Sequence, residues 1–595
     1  MNTSKSLINL LVFFAIASPV VAQTKIEIDQ SISQVESGLM PAIRFGDEAL
    51  WSLESRMKHY NVPGLSIAVI KDSKIIWSKG YGYADIESKK PVSSKTLFQA
   101  GSISKPVTAY AVLKELERGK LNPSIDINTF LKSWTIPANE NTKESKVSIQ
   151  NILSHTAGLT VAGFDGYERG TPIPSLLQIL GGQSPANSKA IMVNKVPGKS
   201  FRYSGGGYTV LQQLLIDLKH KDFETIMKET VLNPLAMTNS TFSQSLTEIQ
   251  ARNAATAYHN DGTEVKGKYH IYPELAAAGL WTTAEDLAKY VIDIQNTLNN
   301  KSHKVISKKT AAEFTSPFKD PFVGLGMFLD NKKGQVYFIH GGINEGFQSL
   351  FVGSKTSGDG VVILTNTNKQ QFIDELVRSV ANVYQWPNYV TAANKKLPMT
   401  DNDLSDNTGN YTNDKYSFYK IYRDQNKLMM TYNTDGPIEL FKVDENTYAM
   451  HEREFKIKVE KNEFLEIDQN GKVRSKSPKM AVEKQTPLEI LLSGDFDAGA
   501  KAYAEAKAND STHYLLSENY LNDLGLTLLK KQNFEKSINI LRVNCLLYPL
   551  SDNVYDSLAE AYLKSGQKEK AKEYYQKTLG INPKHENAAQ MLKIL

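Results

Sequence analysis

Alternating apolar and polar residues predict β-strands at both ends of the region that precedes residue 390. Two apolar runs, at residues 65–70 and 75–80, flank four polar residues, a pattern typical of a β-hairpin. Three further strand patterns occur late, at residues 335–339, 347–352 and 360–365. We therefore expect early and late strands to form one antiparallel sheet.

Between these strands, apolar residues recur at helical spacing. The pattern predicts helices at residues 174–180 and 209–218, and a third helix capped by Thr282 with Glu285 three positions later. Asp47 is placed to cap another helix ahead of the hairpin. The middle of the chain therefore predicts a helical lobe packed against the sheet.

Residues 400–480 contain short alternating segments separated by Asn, Asp and Gly. This pattern predicts a small antiparallel barrel or sandwich, with no evident chemistry of its own. The segments lie at residues 410–411, 416–422, 427–432, 438–442, 447–451 and 455–459.

Residues 487–595 carry a repeat with a period of 34 residues, which resembles the tetratricopeptide repeat. Residues 490–508 are a candidate for an earlier, degenerate unit. Such helical solenoids bind proteins or peptides, or mediate self-association, and both roles stay open here. The matching positions are Leu524 and Leu558, Gly525 and Ala559, Leu528 and Tyr562, Leu541 and Tyr575, and Pro549 and Pro583.

Length and composition narrow the classes of protein further. A chain of 595 residues exceeds one ordinary core and predicts about three or four domains. The formal charge of +5 is not gathered into a basic tract, which argues against nucleic-acid binding. Cys545 is the single cysteine, so an intramolecular disulfide and a Cys-based metal site are excluded. The histidines lack metal-ligand spacing, and we expect neither metal nor cofactor.

Residues 1–22 have the pattern of a secretory signal peptide. Lys5 supplies a positive charge, residues 10–17 are apolar, and small residues precede a cleavage site before Gln23. The apolar run is too short to span a bilayer as a helix. We therefore expect an exported, soluble protein in the periplasm or outside the cell, with no integral membrane segment after cleavage.

The candidate chemistry centres on Ser102 and Lys105. Apolar residues after Lys105 predict a buried helix, and Pro106 fits only in the first turn of that helix. Two side chains at spacing i, i+3 share one helix face, so the lysine amine can reach the serine hydroxyl. A serine becomes a useful nucleophile when a neighbouring base removes its proton.

This spacing becomes specific only through two later motifs. Four other Ser-x-x-Lys pairs occur, but only Ser102 is followed at a distance by Tyr203-Ser204-Gly205 and then by His340-Gly341-Gly342. In this order the three motifs resemble those of the serine β-lactamase and penicillin-recognising hydrolase family, particularly its class C β-lactamases, D-alanyl-D-alanine carboxypeptidases, D-aminopeptidases and esterases.

The resemblance covers residues 46–390 and implies a fold, a site and roles. The fold is a β-lactamase-like α+β domain, often called α/β, whose active site lies between the antiparallel sheet and the helical lobe. Ser102 would be the nucleophile, with Lys105 and Tyr203 moving protons. The backbone N–H groups of Ser102 and Ile343 would form the oxyanion hole.

The sequence also departs from the family pattern at two positions. Gly205 replaces a frequent asparagine, and His340 replaces the usual lysine beside Gly341 and Gly342, where we expect it to face the substrate. A histidine with an ordinary pKa of about 6.5 would be cationic at pH 5.5 and neutral at pH 8. Both departures predict weak recognition of β-lactam carboxylates. We assign His155, in contrast, to a structural turn.

These observations favour an exported serine hydrolase that forms an acyl-enzyme with D-amino-acid peptides, amides or esters. A true class C-like β-lactamase is one alternative. A catalytically silent peptide-binding sensor or scaffold, which combines an inherited cleft with the repeats, is another. Fold alone does not choose among them.

Overall fold

The computed structural model describes residues 25–46, 48–412, 414–460, 462–468, 471–481, 484–511 and 513–595. The predicted signal peptide at residues 1–22 and the predicted helix cap at Asp47 lie outside the described residues. The chain divides into two compact units. The first holds the described residues up to Met40 together with Ala49–Thr391, and the second holds Pro41–Glu48 together with Ala392–Leu595.

A seven-stranded antiparallel sheet forms the centre of the first unit, in the order β3-β2-β1-β9-β8-β7-β6. Its early hairpin pairs with the late strands through β1 and β9, where Ile67 lies opposite Ile363, so the expected single sheet is confirmed. A short pair, β4 and β5, stands apart. The strands are β1 (Gly64–Lys71), β2 (Lys74–Asp85), β3 (Lys90–Pro91), β4 (Phe98–Gln99), β5 (Trp281–Thr282), β6 (Phe328–Lys332), β7 (Gln335–Asn344), β8 (Phe347–Ser354) and β9 (Gly360–Thr365).

Helices cover both faces of this sheet. Strand β1 is buried on both faces: Leu65, Ile67 and Val69 pack in a core with α1 and α13, and Ala68 and Ile70 pack in the core of the helical lobe. The helices are α1 (Lys25–Glu36), α2 (Leu53–His59), α3 (Ser104–Glu117), α4 (Glu140–Glu144), α5 (Ile149–Leu153), α6 (Leu176–Gly181), α7 (Gly205–Lys219), α8 (Phe223–Met227), α9 (Glu248–Asn253), α10 (Leu275–Ala278), α11 (Ala284–Leu298), α12 (Lys308–Phe314) and α13 (Gln370–Val383).

Two helix starts differ from the sequence expectation. Helix α2 begins after Ser52, whose hydroxyl oxygen accepts a hydrogen bond from the N–H of Ser55 at 3.2 Å. Helix α11 is capped by Thr283, one residue later than predicted, because Thr282 is held in strand β5 opposite Phe98. The sequence pattern could not decide which of the two adjacent threonines caps the helix. The pairing of Thr282 with Phe98 in the strand decides it.

The second unit begins with an antiparallel barrel. Its eight strands follow one another in chain order, and a bridge from Tyr411 to Lys479 joins the first strand to the segment after the last. This closure shows that the strands form a barrel and not a sandwich. The sequence analysis did not predict the last two strands, which lie at Glu463–Ile467 and Val473–Pro478. The elements are α14 (Asp401–Asp406), β10 (Gly409–Tyr411), β11 (Tyr419–Asp424), β12 (Lys427–Tyr432), β13 (Ile438–Asp444), β14 (Thr447–Ala449), β15 (Lys456–Glu460), β16 (Glu463–Ile467) and β17 (Val473–Pro478).

Paired helices with the predicted 34-residue period follow the barrel. Gly525 lets α17 approach α18 closely, since a Cβ there would lie 2.5 Å from the side chain of Leu541. Phe418 of the barrel packs with Leu488 and Leu491, so barrel and helices share a core. The helices are α15 (Pro487–Leu492), α16 (Phe496–Asn509), α17 (Glu518–Lys530), α18 (Phe534–Leu547), α19 (Asp552–Lys564), α20 (Lys568–Ile581) and α21 (Glu586–Ile594). Among the described residues, no helix combines the length and apolarity needed to cross a membrane.

Candidate active site

The side chains of Ser102 and Lys105 meet at the start of α3. Ser102 lies in a 3₁₀ turn, Gly101–Ile103, immediately before the helix, and Pro106 falls in the first helical turn as predicted. The Lys105 Nζ donates hydrogen bonds to Ser102 Oγ at 2.9 Å and to the Ala277 carbonyl at 2.8 Å. Lys105 is only 2% exposed, whereas Ser102 is half-buried. The amine is therefore within proton-transfer reach of a partly exposed hydroxyl.

The turn that carries Ser102 is fixed by residues the sequence analysis did not single out. Gly101 has a φ of +52°, a left-handed conformation that favours glycine. Ser104 donates from its hydroxyl to the Gly101 carbonyl at 2.7 Å and accepts from the N–H of Leu280 at 3.0 Å. Helix α10 thus holds both the lysine, through Ala277, and the serine turn, through the segment that follows it.

Tyr203 lies beside Lys105. The lysine Nζ stands 5.1 Å from the centroid of the Tyr203 ring, and the His155 ring packs 4.4 Å from the same ring. Ser204 caps α7, because its hydroxyl oxygen accepts from the N–H of Gly207 at 3.0 Å. His155 has a φ of +55°, and its Nδ1 accepts a hydrogen bond from the N–H of Ser204. This hydrogen bond to a turn residue fixes the backbone next to Tyr203.

The third motif lies within strand β7, which continues through His340, Gly341 and Gly342 to Asn344 instead of ending before them. The His340 ring is 3% exposed, its Nδ1 lies 2.6 Å from the Gly341 carbonyl, and it packs 5.0 Å from the ring of Phe328. Burial, with the positive charge of Lys105, lowers the pKa of His340 to about 3. The expectation of a cationic His340 at pH 5.5 was therefore wrong, because the ordinary pKa applies to a solvated ring.

The backbone brings Gly101 and Ile343 into contact. A Cβ on Gly101 would lie 2.6 Å from the Ile343 nitrogen, and a Cβ on Gly342 would lie 1.8 Å from the Ala100 carbonyl oxygen. Both glycines are thus required by close approach between the serine turn and strand β7. The Ile343 side chain is 58% exposed beside this contact. The N–H groups of Ser102 and Ile343 consequently belong to two adjacent backbone segments.

The fold therefore gathers the three sequence motifs at one place, although 240 positions separate Ser102 in the first motif from Gly342 in the third. Asn344, which the sequence analysis missed, links two of the site's supports: its Nδ2 donates to Gln99 Oε1 at 2.8 Å and to the Ala278 carbonyl at 3.1 Å. Its position two residues after the third motif was the available signal. In the described part of the chain, no cluster of three or more His, Cys, Asp or Glu residues is arranged to hold a metal ion.

Comparison with known families agrees with this geometry. The family profile described as Beta-lactamase matches residues 52–384, more than half of the chain. The chain belongs to the β-lactamase family. Its members are typically serine hydrolases, and the three sequence motifs of this β-lactamase-family chain all fall in the matched region. A second profile, a tetratricopeptide repeat, matches residues 553–585 and confirms the repeat prediction at helices α19 and α20.

Curated relatives match the same region. Protein flp of Staphylococcus aureus (strain N315) is 24% identical over 339 residues, which cover 55% of this chain and 64% of that protein. The chain thus spans less than two thirds of the length of that relative. The putative penicillin-binding protein PbpX of Bacillus subtilis (strain 168) is 25% identical over 303 residues, covering 50% of this chain and 68% of PbpX.

Solved structures to which the chain is similar include a penicillin-binding protein homologue from Pyrococcus abyssi, described as octameric. It is 22% identical, with a TM-score of 0.49, over 72% of this chain and 99% of that one. The D-alanine carboxypeptidase AmpC from Burkholderia cenocepacia is 18% identical, with a TM-score of 0.45, over 60% of this chain and 99% of its own.

Proposed function

We propose that this chain is an exported serine hydrolase that forms an acyl-enzyme with D-amino-acid peptides, amides or esters. The observation that carries the proposal is the 2.9 Å hydrogen bond between Lys105 Nζ and Ser102 Oγ, in a β-lactamase-family domain. A buried amine held on a partly accessible hydroxyl is the arrangement that activates a serine nucleophile. Export rests on the signal-peptide pattern of residues 1–22.

The reaction runs in two halves. Lys105 takes the proton of Ser102 as Oγ attacks the substrate carbonyl, and the N–H groups of Ser102 and Ile343 receive the negative charge that develops on the carbonyl oxygen. Collapse of the tetrahedral intermediate breaks the bond to the leaving amine or alcohol, which takes a proton delivered through Tyr203. Water then attacks the acyl-serine and gives a proton to the same groups, which pass it to Ser102 Oγ as the bond between the acyl carbon and Oγ breaks.

Selectivity follows from the second and third motifs. A neutral, buried His340 supplies no positive charge to a substrate carboxylate at this strand, in contrast to a lysine. Gly205 supplies no side-chain amide. Acyl transfer to Ser102 requires neither feature. We therefore assign the site to neutral esters, amides and D-amino-acid peptides in preference to β-lactams.

A substrate panel on the purified mature protein tests this assignment. We expect kcat/KM to be readily measured for a small neutral ester and a D-alanine amide, which carry no carboxylate, and to be at least about tenfold lower for a cephalosporin, because about 1.4 kcal/mol of carboxylate binding lost at His340 gives that factor. If the cephalosporin is the best of the three substrates, the chain is a β-lactamase and the selectivity argument fails.

Substitution of His340 by lysine should favour carboxylate-bearing substrates. His340 is neutral at both pH 5.5 and pH 8, because its pKa of about 3 lies below both values. A lysine adds a charge that burial and Lys105 oppose, so the added charge is more complete at the lower pH. We expect the ratio of kcat/KM for the D-alanyl dipeptide to that for the neutral ester to rise at pH 5.5 at least as much as at pH 8. A gain confined to pH 8 would mean that His340 titrates near 6.5.

A further inference from the structure

A cavity of about 500 Å³ opens beside the second motif of the first unit. The loop at residues 160–165, the segment at residues 187–194 and Arg202 line it. Arg202 directly precedes Tyr203 in the chain. Through Arg202 and Phe164 the cavity borders the second motif, yet none of the residues assigned so far to catalysis lines it.

The walls of this cavity are held by hydrogen bonds. The N–H of Thr160 donates to the Met192 carbonyl at 2.8 Å, and the Thr160 hydroxyl donates to the Ala190 carbonyl at 3.0 Å while accepting from the Met192 N–H at 2.9 Å. These bonds join two of the segments that line the cavity. Its shape is thus built by the fold and does not depend on exposed side chains alone.

Gly205 connects the cavity wall to the second motif. Its N–H donates to the Ala162 carbonyl at 2.9 Å. A Cβ at this position would lie 2.9 Å from the same oxygen and 3.1 Å from the ring of Phe164, a residue that lines the cavity. An asparagine at Gly205 would collide with this wall. The asparagine side chain that many family members carry at this position is thus absent, and the loop at residues 160–165 packs closely against Gly205 in its place.

The charge of the cavity comes from three side chains. Arg202 and Lys189 contribute two positive charges and Asp165 contributes one negative charge. Burial lowers the pKa of Arg202, and no carboxylate contributes to that shift. Within the described ranges, no ion pair or side-chain hydrogen bond satisfies the Arg202 guanidinium; its backbone N–H donates to the His155 carbonyl at 2.6 Å. A half-buried guanidinium without a partner has five donors available for an anion.

We propose that this cavity is a subsite for a carboxylate on the substrate, bound by Arg202. The inference rests on the proposed function, since it supplies the substrate class for the same catalytic centre. A planar guanidinium binds a carboxylate through two parallel hydrogen bonds, which fixes orientation as well as charge. The positive group that the third motif lacks at His340 is thereby provided beside the second motif, by the residue before Tyr203.

The test uses the full-length mature protein and four chromogenic esters. One pair carries a carboxylate or its methyl ester on the acyl group, and the other pair carries them on the leaving group. For wild type, we expect kcat/KM to favour the free carboxylate in one of the two pairs. In Arg202→Gln that preference should fall about tenfold or more, since a hydrogen bond to a charged group is worth about 1.5–3 kcal/mol. Arg202→Lys should restore part of it.

Lys301→Gln is the matched control, because it removes one exposed positive charge from a residue outside the cavity lining. It should keep the wild-type preference. Equal preferences in wild type and Arg202→Gln, or an equal fall in Lys301→Gln, overturn the subsite. If wild type hydrolyses none of the esters, the proposed function fails separately. Calorimetry with the free-acid esters then decides the subsite, since binding must weaken in Arg202→Gln and not in Lys301→Gln.

Discussion

Replacing Ser102 by alanine is expected to abolish ester hydrolysis, with kcat at least about a thousandfold lower, because the nucleophile itself is removed. The wild-type protein should react with a fluorophosphonate or penicillin-type probe at Ser102, and Ser102→Ala should not. Intact-mass measurement followed by peptide mapping detects the covalent adduct. Lys105 loses its 2.9 Å hydrogen-bond acceptor in this variant, but the small alanine fits the partly exposed position.

The control is Ser55→Ala, since Ser55 has the same spacing to Lys58 and lies exposed on α2. It should keep both labelling and turnover. Full activity in Ser102→Ala would refute the mechanism. A wild-type protein that neither reacts with the probes nor turns over any ester would instead support the silent peptide-binding alternative.

Replacing Lys105 by arginine is expected to cause a loss of similar size, about a thousandfold in kcat, although the positive charge is kept. A guanidinium cannot be deprotonated in a protein, so it cannot take the proton from Ser102. The comparison separates two roles of the lysine. If Lys105 acted only through its charge, the arginine variant would remain active. The measurement is single-turnover acylation by a chromogenic ester, which reports the step that needs the base.

Folding of this variant needs its own check, because Lys105 is buried and donates to the Ala277 carbonyl. A larger guanidinium at this position costs about 1–3 kcal/mol of stability from overpacking. Thermal unfolding of Lys105→Arg should still show one cooperative transition for the first unit. The matched Lys58→Arg variant should lose neither stability nor activity. Rapid acylation by folded Lys105→Arg would exclude Lys105 as the base.

Local patterns determined much of this protein. The hairpin at Gly64–Lys71 and Lys74–Asp85 could be predicted because strand alternation and turn residues act over a few positions. The contact between Ser102 and Lys105 could also be predicted, because a spacing of three residues fixes their relation once a helix begins there. The 34-residue period predicted the helical pairs because each unit repeats the same apolar positions and therefore the same packing between its two helices.

Only the tertiary structure decided the environment of those residues. His340 could be identified as a candidate from the sequence. Its burial against Phe328 and near Lys105, however, depends on the packing of strand β7 against the helical lobe, and this burial lowers its pKa. The approach of Gly101 to Ile343 joins positions far apart in the chain.

The cavity beside Arg202 likewise combines three separate segments. A sequence pattern carries the period and the order of motifs, whereas burial, charge and close approach are properties of neighbours in space. The motifs could therefore be predicted from the sequence, and the chemistry that distinguishes this site from others in its family required the fold.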